Sequence, residues 1–485
     1  MTEMLLLFGV LALCMFFMHR MHSGPGRSSG HVHRTADSDD QNKMGMHPLW
    51  MLVVCVLPLF VFFMLMSNGY VLHSGFFVLF FLVGCAVMFF FMDRGMDCEP
   101  ADNEEKPKPD ADQMADIETR MKDVFHIRSF RSQDGAFVVE GTPTVSSEQV
   151  FDLLVERFSE TSMTPLFQEN DAGEPVVVIL LEKTEMETES RRSFKINLGL
   201  FILTLITTTW AGAAHQGVDL WQNPSQWAVG LPYGLGLMAI LGVHELGHYL
   251  AAKKHRMAVT LPYFIPLPFA LGTFGAYIQM LSTPQNRKAL FDVGVAGPLA
   301  GLAIAVPALL IGLQYSTPIL AASGVEVGMM RGGVNIGSSL LLAILTKLSL
   351  GGSVTEAHQL ILHPLAFAGW LGLLLTALNL LPIGQLDGGH IAHALFGRRR
   401  SDTIGTVALF GMFLLGVFVW QGLLTWAIIV YFIAGTKSAP PLDDVTALGK
   451  QRVAIGAFAF VILFLILTPV PHALYSSLGF ECPYI

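Results

Sequence analysis

The sequence predicts an all-α polytopic membrane protein with about ten transmembrane helices, a re-entrant element and a small cytoplasmic α+β insert. Three observations predict this fold class. The 485 residues are 52% hydrophobic and only 14% charged, whereas soluble domains are about 25% charged. Apolar runs recur along the chain at lengths that suit membrane spans. A single long polar stretch, 96–195, interrupts them.

The predicted spans are apolar runs with few charged residues, and the eighth and ninth are close enough to form a helical hairpin. The runs are 4–18, 49–66, 71–92, 196–214, 230–252, 293–313, 364–382, 404–420, 422–435 and 453–470. The segment Val334–Leu350 is also apolar. We interpret it as interfacial or partly re-entrant, and a further span is the alternative.

Four parts are expected along the chain. They are an N-terminal three-span module with a His/Met-rich loop (1–95), a cytoplasmic linker with a small α+β domain (96–195), a core that carries the chemistry (196–440), and a C-terminal transmembrane helix with a tail (441–485). In the insert, strand-like runs at Phe125–Phe130, Ala136–Gly141 and Val176–Leu181 flank a helix that ends near Phe158. A docking or regulatory role for the insert and a simple spacer both remain open.

The placement of basic residues predicts the topology. If the N-terminus lies outside and the ten spans alternate, all 29 lysines and arginines except Arg331 and Lys347 fall in cytoplasmic segments. This bias is the positive-inside rule. No plastid transit peptide is evident in the sequence. We therefore expect an integral multi-pass protein of a bacterial plasma membrane, with the lipid bilayer as its environment.

Charge and composition exclude nucleic acid as a partner. The net charge is −9, and no arginine- or lysine-rich stripe with interleaved aromatic residues occurs. The segment 19–47 is rich in histidine and methionine, which are ligands that suit soft metals such as copper. A second metal site in this loop is therefore one interpretation, and a polar loop without metal is the other.

The strongest chemical signal is His244-Glu245-Leu246-Gly247-His248 within an apolar run. Residues i and i+4 share one helical face, so the two histidines can bind one zinc ion. Glu245 can then act as general base toward a water whose pKa zinc lowers from 15.7 to about 7. Ionisable residues inside a span cost a few kcal/mol unless they are partnered. A metal gives all three residues a common explanation, and we expect one Zn²⁺ per chain.

A catalytic zinc site needs a third protein ligand and one open position. Asp387 is the candidate because it is the only carboxylate between Glu356 and Asp402 and follows an apolar helix. His390 is the alternative ligand, with a structural role as its other interpretation. The two half-sites lie near the inner ends of spans that run in the same direction, so they can meet. The site is expected to open toward the cytoplasm.

Between the two half-sites lies the apolar segment Leu261–Met280, which contains three prolines. Prolines prevent a continuous helix, and irregular backbone at membrane depth must be covered by protein. The segment is therefore the predicted re-entrant element. The run Thr273–Met280 has strand character, so its edge offers a place for an extended substrate. A structural plug is the alternative.

These residues resemble the site-2 protease family of intramembrane zinc metalloproteases. The matching segments are 244–248, the stretch Gly272-Thr273-Phe274-Gly275, and Asn379-x-x-Pro382 followed by Leu386-Asp387-Gly388. The Pro-Tyr-Phe-Ile-Pro run and the soluble insert look most similar to the plastid and cyanobacterial branch. The resemblance covers about 120–440.

The resemblance implies a zinc metalloendopeptidase that cuts membrane-anchored proteins in or beside their transmembrane helices in regulated proteolysis. It implies His244, His248 and Asp387 as zinc ligands, Glu245 as catalytic acid/base, and Asn379 as support for the tetrahedral intermediate or the substrate backbone. The same resemblance implies that residues 272–275 bind the substrate. No PDZ segment is found, so no PDZ-type partner is implied.

Two other functions compete with proteolysis. A non-proteolytic metal-handling membrane protein would use the His/Met-rich loop, but it would have no need of a general base such as Glu245. A catalytically silent relative that binds transmembrane helices would not need the complete set of metal ligands.

Overall fold

The computed structural model describes residues 111–133, 136–170, 172–181, 194–267, 271–320, 333–334, 338–351, 358–418 and 421–471. All of them lie in one compact unit, Pro107–Ile485. The three spans predicted before residue 95 and the His/Met-rich loop 19–47 lie outside the described residues.

The described part of the chain is mostly helical. Its helices are α1 (Ala111–Met121), α2 (Ser147–Phe158), α3 (Phe194–His215), α4 (Leu231–Lys254), α5 (Arg287–Gln314), α6 (Leu340–Leu350), α7 (Pro364–Leu380), α8 (Asp387–Phe396), α9 (Arg398–Phe418), α10 (Gln421–Ala434) and α11 (Lys450–Leu467). Its strands are β1 (Phe125–Gln133), β2 (Ala136–Pro143), β3 (Thr164–Glu169), β4 (Pro175–Leu180), β5 (Tyr263–Pro266), β6 (Thr273–Tyr277), β7 (Thr317–Leu320), β8 (Gly333–Val334) and β9 (His358–Ile361).

Five helices among the described residues are long and apolar enough to cross a membrane, which is consistent with an integral membrane protein. They are Phe194–His215, Pro224–Lys254, Arg287–Gln314, Arg398–Val417 and Lys450–Leu467. The runs predicted at 364–382 and 422–435 form the shorter helices α7 and α10. The structure therefore confirms a polytopic helical architecture, while the predicted count of about ten spans is not confirmed. The 11 residues of α6 extend about 16 Å, which is too short to span a bilayer.

The polar insert is a small α+β domain, as predicted. Its sheet has the order β1-β2-β4-β3 with antiparallel neighbours. Alternate residues of β2 and β4 point into its core, among them Phe137, Val139, Val177 and Ile179, which are fully buried. The sequence did not predict β3, whose proline and glutamine weaken a local strand signal. The strand forms because it pairs with β4 and because Phe167 becomes buried in the core of the insert.

The insert continues into the helical part through backbone hydrogen bonds. Phe167 N–H donates to the Leu442 carbonyl (2.8 Å), and Asp444 N–H donates back to the Phe167 carbonyl (2.8 Å). On its other side, Leu442 N–H donates to the Pro284 carbonyl (2.9 Å), just before α5. The extended segment 442–444 thus lies between β3 and the entry to α5. The described part of the insert is bonded to the helical core and is more than a tethered spacer.

Helices α4, α5 and α7 pack closely around the centre of the membrane-embedded part. Apolar side chains gain little from burial against each other in lipid, so close van der Waals packing of small residues holds such helices together. A Cβ added at Gly312 of α5 would lie 2.2 Å from the Ala366 nitrogen of α7. One added at Gly369 of α7 would lie 2.5 Å from the Leu309 nitrogen. The glycines therefore set the distance between α5 and α7.

Replacing Gly312 with alanine is expected to force α5 and α7 apart at a backbone-to-backbone contact. Overpacking of this kind costs about 1–3 kcal/mol, so the thermal unfolding midpoint in detergent should fall. Gly411→Ala in α9 is the matched control because no atom lies within 4 Å of its added Cβ. Equal midpoints for the two variants would contradict this account of the packing.

Candidate metal centre and active site

The histidine pair lies on α4, a helix of 24 residues with a proline in its first turn. His244, Glu245 and His248 are buried, with 6%, 5% and 7% of their surfaces exposed. The Nε2 atoms of the two histidines lie 3.1 Å apart, as the i, i+4 spacing requires for two ligands of one ion. Two polar rings and a carboxylate are thus held inside an apolar helix.

Asp387 is the first residue of α8 and completes the group. Its Oδ2 atom lies 3.4 Å from His244 Nε2 and 3.3 Å from His248 Nε2. The three side chains offer ligand atoms that all lie within 4.8 Å of one another, and they are the residues positioned to bind one metal ion. The structure therefore brings together the three ligands that the sequence indicated.

The spacing of the three atoms suits a tetrahedral ion. Zinc bonds to nitrogen and oxygen of about 2.0–2.1 Å place two corners of a tetrahedron about 3.3–3.4 Å apart. The observed separations of 3.1, 3.4 and 3.3 Å match three such corners. His248 Nδ1 lies 2.8 Å from the Val293 carbonyl, a bond that fixes the tautomer and leaves Nε2 free to coordinate. The residues therefore fit a zinc ion with one open position.

Room for the site depends on two glycines of α5 that the sequence reasoning missed. A Cβ at Gly297 would lie 2.1 Å from His248 Nε2, and one at Gly301 would lie 3.1 Å from His244 Nδ1. The approach is reciprocal, because a Cβ at Gly247 of α4 would lie 2.6 Å from the Ala296 carbonyl oxygen. The sequence did contain a signal for this close approach, because Gly297 and Gly301 have the same i, i+4 spacing as His244 and His248.

Glu245 and Asn379 border the metal site from two sides. The Glu245 carboxylate faces the backbone N–H of Ile278, just beyond β6. Asn379 lies in the last turn of α7, and its Nδ2 is 3.2 Å from His244 Nε2. Both side chains thus lie beside the three candidate ligands.

His390, the alternative ligand, is not part of the three-residue group. It follows Asp387 by one turn of α8, but its Nδ1 lies 3.4 Å from Ser438 Oγ. A Cβ at Gly294 of α5 would lie 3.0 Å from the His390 Cβ. His390 therefore packs α8 against α5 and leaves coordination to Asp387.

The segment that was predicted to be re-entrant forms the β5–β6 hairpin, which lies along α3. Asn197, near the start of α3, donates from Nδ2 to the Pro262 carbonyl (2.9 Å). Thr207 donates from Oγ1 to the Gly272 carbonyl (2.7 Å) at the other end of the hairpin. These anchors are ten residues apart, about 15 Å along the helix. The hairpin thus follows α3 over about half the thickness of a bilayer.

Within the stretch 272–275, the first two residues are fixed against neighbouring backbone and the last two lie toward open space. Gly272 has φ +80°, and a Cβ there would lie 2.5 Å from the Thr208 Cα, so only glycine fits against α3. Thr273 is buried and donates to the Ile265 carbonyl (2.9 Å). Phe274 is 56% exposed. Gly275 has φ +110°, and its N–H donates to Thr273 Oγ1 (3.0 Å). Nothing lies within 4 Å of its Cβ position, so there is open space beside it.

A partly buried carboxylate network that the sequence did not predict supports the histidine-bearing helix. Asp292 of α5 accepts two hydrogen bonds from Arg452 of α11, at 2.7 and 2.8 Å. Its Oδ2 also lies 2.9 Å from His255 Nε2, at the end of α4. The next residue is Val293, whose carbonyl orients His248. The network therefore joins α4, α5 and α11 beside the site.

Comparison with known proteins agrees with this geometry. A model of Peptidase family M50 matches residues 233–419, which include all three candidate ligands. A protein described as probable zinc metalloprotease EGY1, chloroplastic, of Arabidopsis thaliana is 38% identical over 51% of this chain and 44% of its own length. Its counterpart in Oryza sativa subsp. japonica is 37% identical over 51% and 42%. A protein of Oryza sativa subsp. indica described as probable zinc metalloprotease EGY2, chloroplastic, is 28% identical over 72% and 64%.

The resemblance to the site-2 proteases, and within them to the plastid branch, is thereby confirmed. The chain spans less than half the length of the two EGY1 relatives and under two thirds of the EGY2 relative. No solved structure matches it. The relatives are described as chloroplastic, so the expected bacterial plasma membrane finds no support among them.

Replacing Gly297 with alanine is expected to abolish metal binding, because the new methyl group would occupy the space of the His248 ring. Metal content of the purified protein, measured by inductively coupled plasma mass spectrometry, should fall from about one ion per chain toward zero. Gly199→Ala is the control, since it is an exposed helical glycine with nothing within 4 Å of its Cβ position. A Gly297→Ala protein that retains a full complement of metal would contradict the geometry.

Proposed function

We propose that this chain, with the motifs and family match of the site-2 proteases, is an intramembrane zinc metalloprotease. Its reaction is hydrolysis of peptide bonds in or near the transmembrane helices of membrane-anchored proteins, as a step of regulated proteolysis. One observation carries the proposal. Two histidines of α4 and the aspartate that begins α8 converge on one metal position, with Glu245 buried beside them.

The depth of the site supports hydrolysis within the membrane. His248 lies five residues before Lys253, the first of two lysines that end α4. This separation is about 8 Å along the helix. Lysines and arginines mark the inner membrane boundary. The site is therefore close enough to that boundary for water to enter, and deep enough to meet a transmembrane substrate.

The side chains divide the chemistry between them. A bound zinc ion supplies Lewis-acid activation of the attacking water and of the scissile carbonyl. Glu245 accepts one proton from that water as its oxygen bonds to the carbonyl carbon, and later passes the proton to the leaving amine nitrogen as the C–N bond breaks. Asn379 donates an N–H to the carbonyl oxygen while negative charge develops on it.

The β5–β6 hairpin is the proposed substrate-binding element, with Gly272, Thr273, Phe274 and Gly275 as its relevant stretch. A transmembrane helix hides its peptide bonds in intrahelical hydrogen bonds, so the segment to be cut must become extended. A strand edge then supplies replacement hydrogen bonds, as in β-strand addition. Because β6 leads directly to Ile278, which faces Glu245, a segment held along it would pass the general base.

Charged and aromatic residues support the proposed orientation, with the active site on the cytoplasmic side. Basic residues lie at the end of α4 and in the first turns of α5, α9 and α11, which alternate to the same side. On the opposite side, Trp221 and Trp227 are 83% and 54% exposed before α4, as tryptophans of a membrane interface are. The names of the relatives favour a chloroplast membrane over the expected bacterial plasma membrane.

The division into 1–95, 96–195, 196–440 and 441–485 is kept as a proposal with one change. The last part supplies the segment 442–444 and α11 to the same packed unit. The proteolytic core thus extends beyond residue 440. A second metal in the 19–47 loop stays a prediction that lies outside the described residues.

The two rival functions predict different behaviour. A metal-handling protein needs ligands but no general base, whereas Glu245 is present and buried against the site. A silent helix-binding relative would not need three convergent ligands. The relatives whose names describe an activity are called zinc metalloproteases or metallopeptidases.

Replacing Glu245 with glutamine is expected to abolish cleavage of a model transmembrane substrate while metal content stays unchanged. The amide keeps the volume of the carboxylate but cannot accept the proton, and loss of a general base typically costs about 10²–10⁴-fold in rate. Glu118→Gln on the exposed side of α1 is the control. The substrate and its product are measured by gel and mass spectrometry in reconstituted vesicles. A Glu245→Gln enzyme as fast as the wild type would refute the mechanism, and metal flux without cleavage would favour transport.

Replacing Gly275 with alanine is expected to lower kcat/KM for the same substrate about tenfold or more. The positive φ strains an L-residue by about 1–3 kcal/mol, and the methyl group fills the open space beside β6 where the substrate segment would lie. Metal content should not change, since Gly275 contributes no ligand. Gly173→Ala, in the turn between β3 and β4, has the same kind of positive φ and open space and should cleave normally. Normal cleavage by Gly275→Ala would favour the structural-plug interpretation of the hairpin.

A further inference from the structure

One buried carboxylate, Asp444, connects the insert to the helix that carries the metal-binding aspartate. Only 2% of Asp444 is exposed. Its Oδ1 accepts a hydrogen bond from Arg287 Nε at the start of α5 (2.8 Å). Both carboxylate oxygens lie 3.0 Å from His393 Nε2 on α8. A charge so deeply buried is tolerated because it is paired on both sides.

The backbone and surroundings of Asp444 belong to the insert contact. Its N–H donates to the Phe167 carbonyl of β3 (2.8 Å). Its partner Arg287 also reaches Glu169, at the end of β3, where Nη2 lies 3.4 Å from Oε1. The adjacent Lys288 pairs with Glu148 of α2. The position of Asp444 is therefore set by the insert as much as by α5.

His393 depends on Asp444 for its orientation. The ring is fully buried, and its Nδ1 has no hydrogen-bond partner among the described residues. The contact with Asp444 is thus the one polar interaction that the described part of the chain gives this ring. Without this contact, the buried polar ring would have no hydrogen-bond partner among the described residues, which is energetically costly.

Helix α8 carries the effect from His393 to Asp387. The two residues are six positions apart, about 9 Å along one short helix. At the Asp387 end the helix is closely fitted, since a Cβ at Gly388 would lie 1.9 Å from the Leu380 carbonyl oxygen. At the other end, Asp444 holds His393. The Asp444 contact therefore holds the far end of α8, in addition to the packing of His390 on α5. A tilt of α8 that follows its loss would move the Asp387 carboxylate away from the histidines.

We infer that Asp444 is a positioning residue through which the docked insert fixes the placement of the metal-binding carboxylate of Asp387. The insert is accordingly part of the unit that holds the metal. This inference rests on the proposed function for its kinetic readout, and its metal-binding readout is independent of any cleavage.

The neighbouring Asp443 provides a matched control. It is equally buried, at 2% exposed, but its Oδ1 accepts only from the N–H groups of Val445 and Thr446 in its own loop. An asparagine at 443 keeps that single accepting oxygen. An asparagine at 444 replaces one of the two oxygens that face His393 and Arg287 with an NH₂ group.

The experiment uses the full chain in lipid nanodiscs with cobalt(II) as the probe, because its visible absorption reports coordination geometry. Asp444→Asn should bind cobalt about tenfold more weakly, the scale seen when a group that orients a metal ligand is removed, with an altered visible band. With zinc and a transmembrane substrate, kcat should fall by a similar factor while KM changes less than about twofold. Asp443→Asn should match the wild type in both measurements.

Variants of His393 keep the test decisive if Asp444→Asn fails to fold. His393→Leu should reproduce the loss in cobalt affinity, and His393→Gln, whose amide N–H replaces the Nε2 donor, should restore most of it. Unchanged cobalt affinity and spectrum in folded Asp444→Asn or His393→Leu would overturn the inference. Equal losses in Asp443→Asn and Asp444→Asn would also overturn it, because the loop and not the carboxylate would then be responsible.

Failure of the proposed function gives a different pattern. If the wild type cuts no substrate but its cobalt affinity depends on Asp444, proteolysis is wrong and the positioning role stands. If cleavage depends on Glu245 and is indifferent to Asp444, proteolysis stands and the positioning role is wrong.

Discussion

The convergence of two histidine nitrogens and one carboxylate oxygen within 3.4 Å is the constraint on which the rest of the structure depends. Three such groups in an apolar setting are unfavourable without a cation that satisfies their lone pairs. Holding them together requires α4 and α5 to approach so closely that side chains larger than glycine would not fit at the contact positions of α5. Gly297 and Gly301 allow that approach because they leave the space that the imidazole rings fill. Close helix packing and metal binding are thus two results of the same small residues.

Two polar residues of α3 follow the same logic, since each has a structural partner. Asn197 and Thr207 would be costly on a lipid-facing helix, but they donate hydrogen bonds to the Pro262 and Gly272 carbonyl groups of the hairpin. Helix α3 thus supplies hydrogen-bond donors of the kind that irregular backbone needs if it lies at membrane depth. The hairpin is therefore fixed at two points, with the exposed Phe274 and the open space beside Gly275 between them. This arrangement suits the substrate-binding role proposed for the hairpin.

The sequence predicted the parts of the site that have a local or exclusive signature. His244, Glu245 and His248 share a helical spacing, and Asp387 was the only carboxylate in a long apolar region. The glycines of α5 were not predicted, because glycine is common in membrane helices and its role appears only when another helix packs on it. Strand β3 was missed because its proline weakens the local strand signal, although its partner β4 follows closely in sequence. The Asp444–His393 contact was missed because its two residues lie 51 positions apart, and no periodicity encodes it.

Two carboxylates outside the metal group play equivalent parts, the partly buried Asp292 and the buried Asp444. Asp292 is held by Arg452 and adjoins the residue whose carbonyl orients His248, whereas Asp444 is held by Arg287 and faces the helix that begins with Asp387. Each ties one half of the metal site to a segment that contributes no ligand. A metal site that must also admit water and substrate cannot be enclosed by its ligands alone. Its rigidity therefore has to come from outside, and in this chain it comes from α11 on one side and the soluble insert on the other.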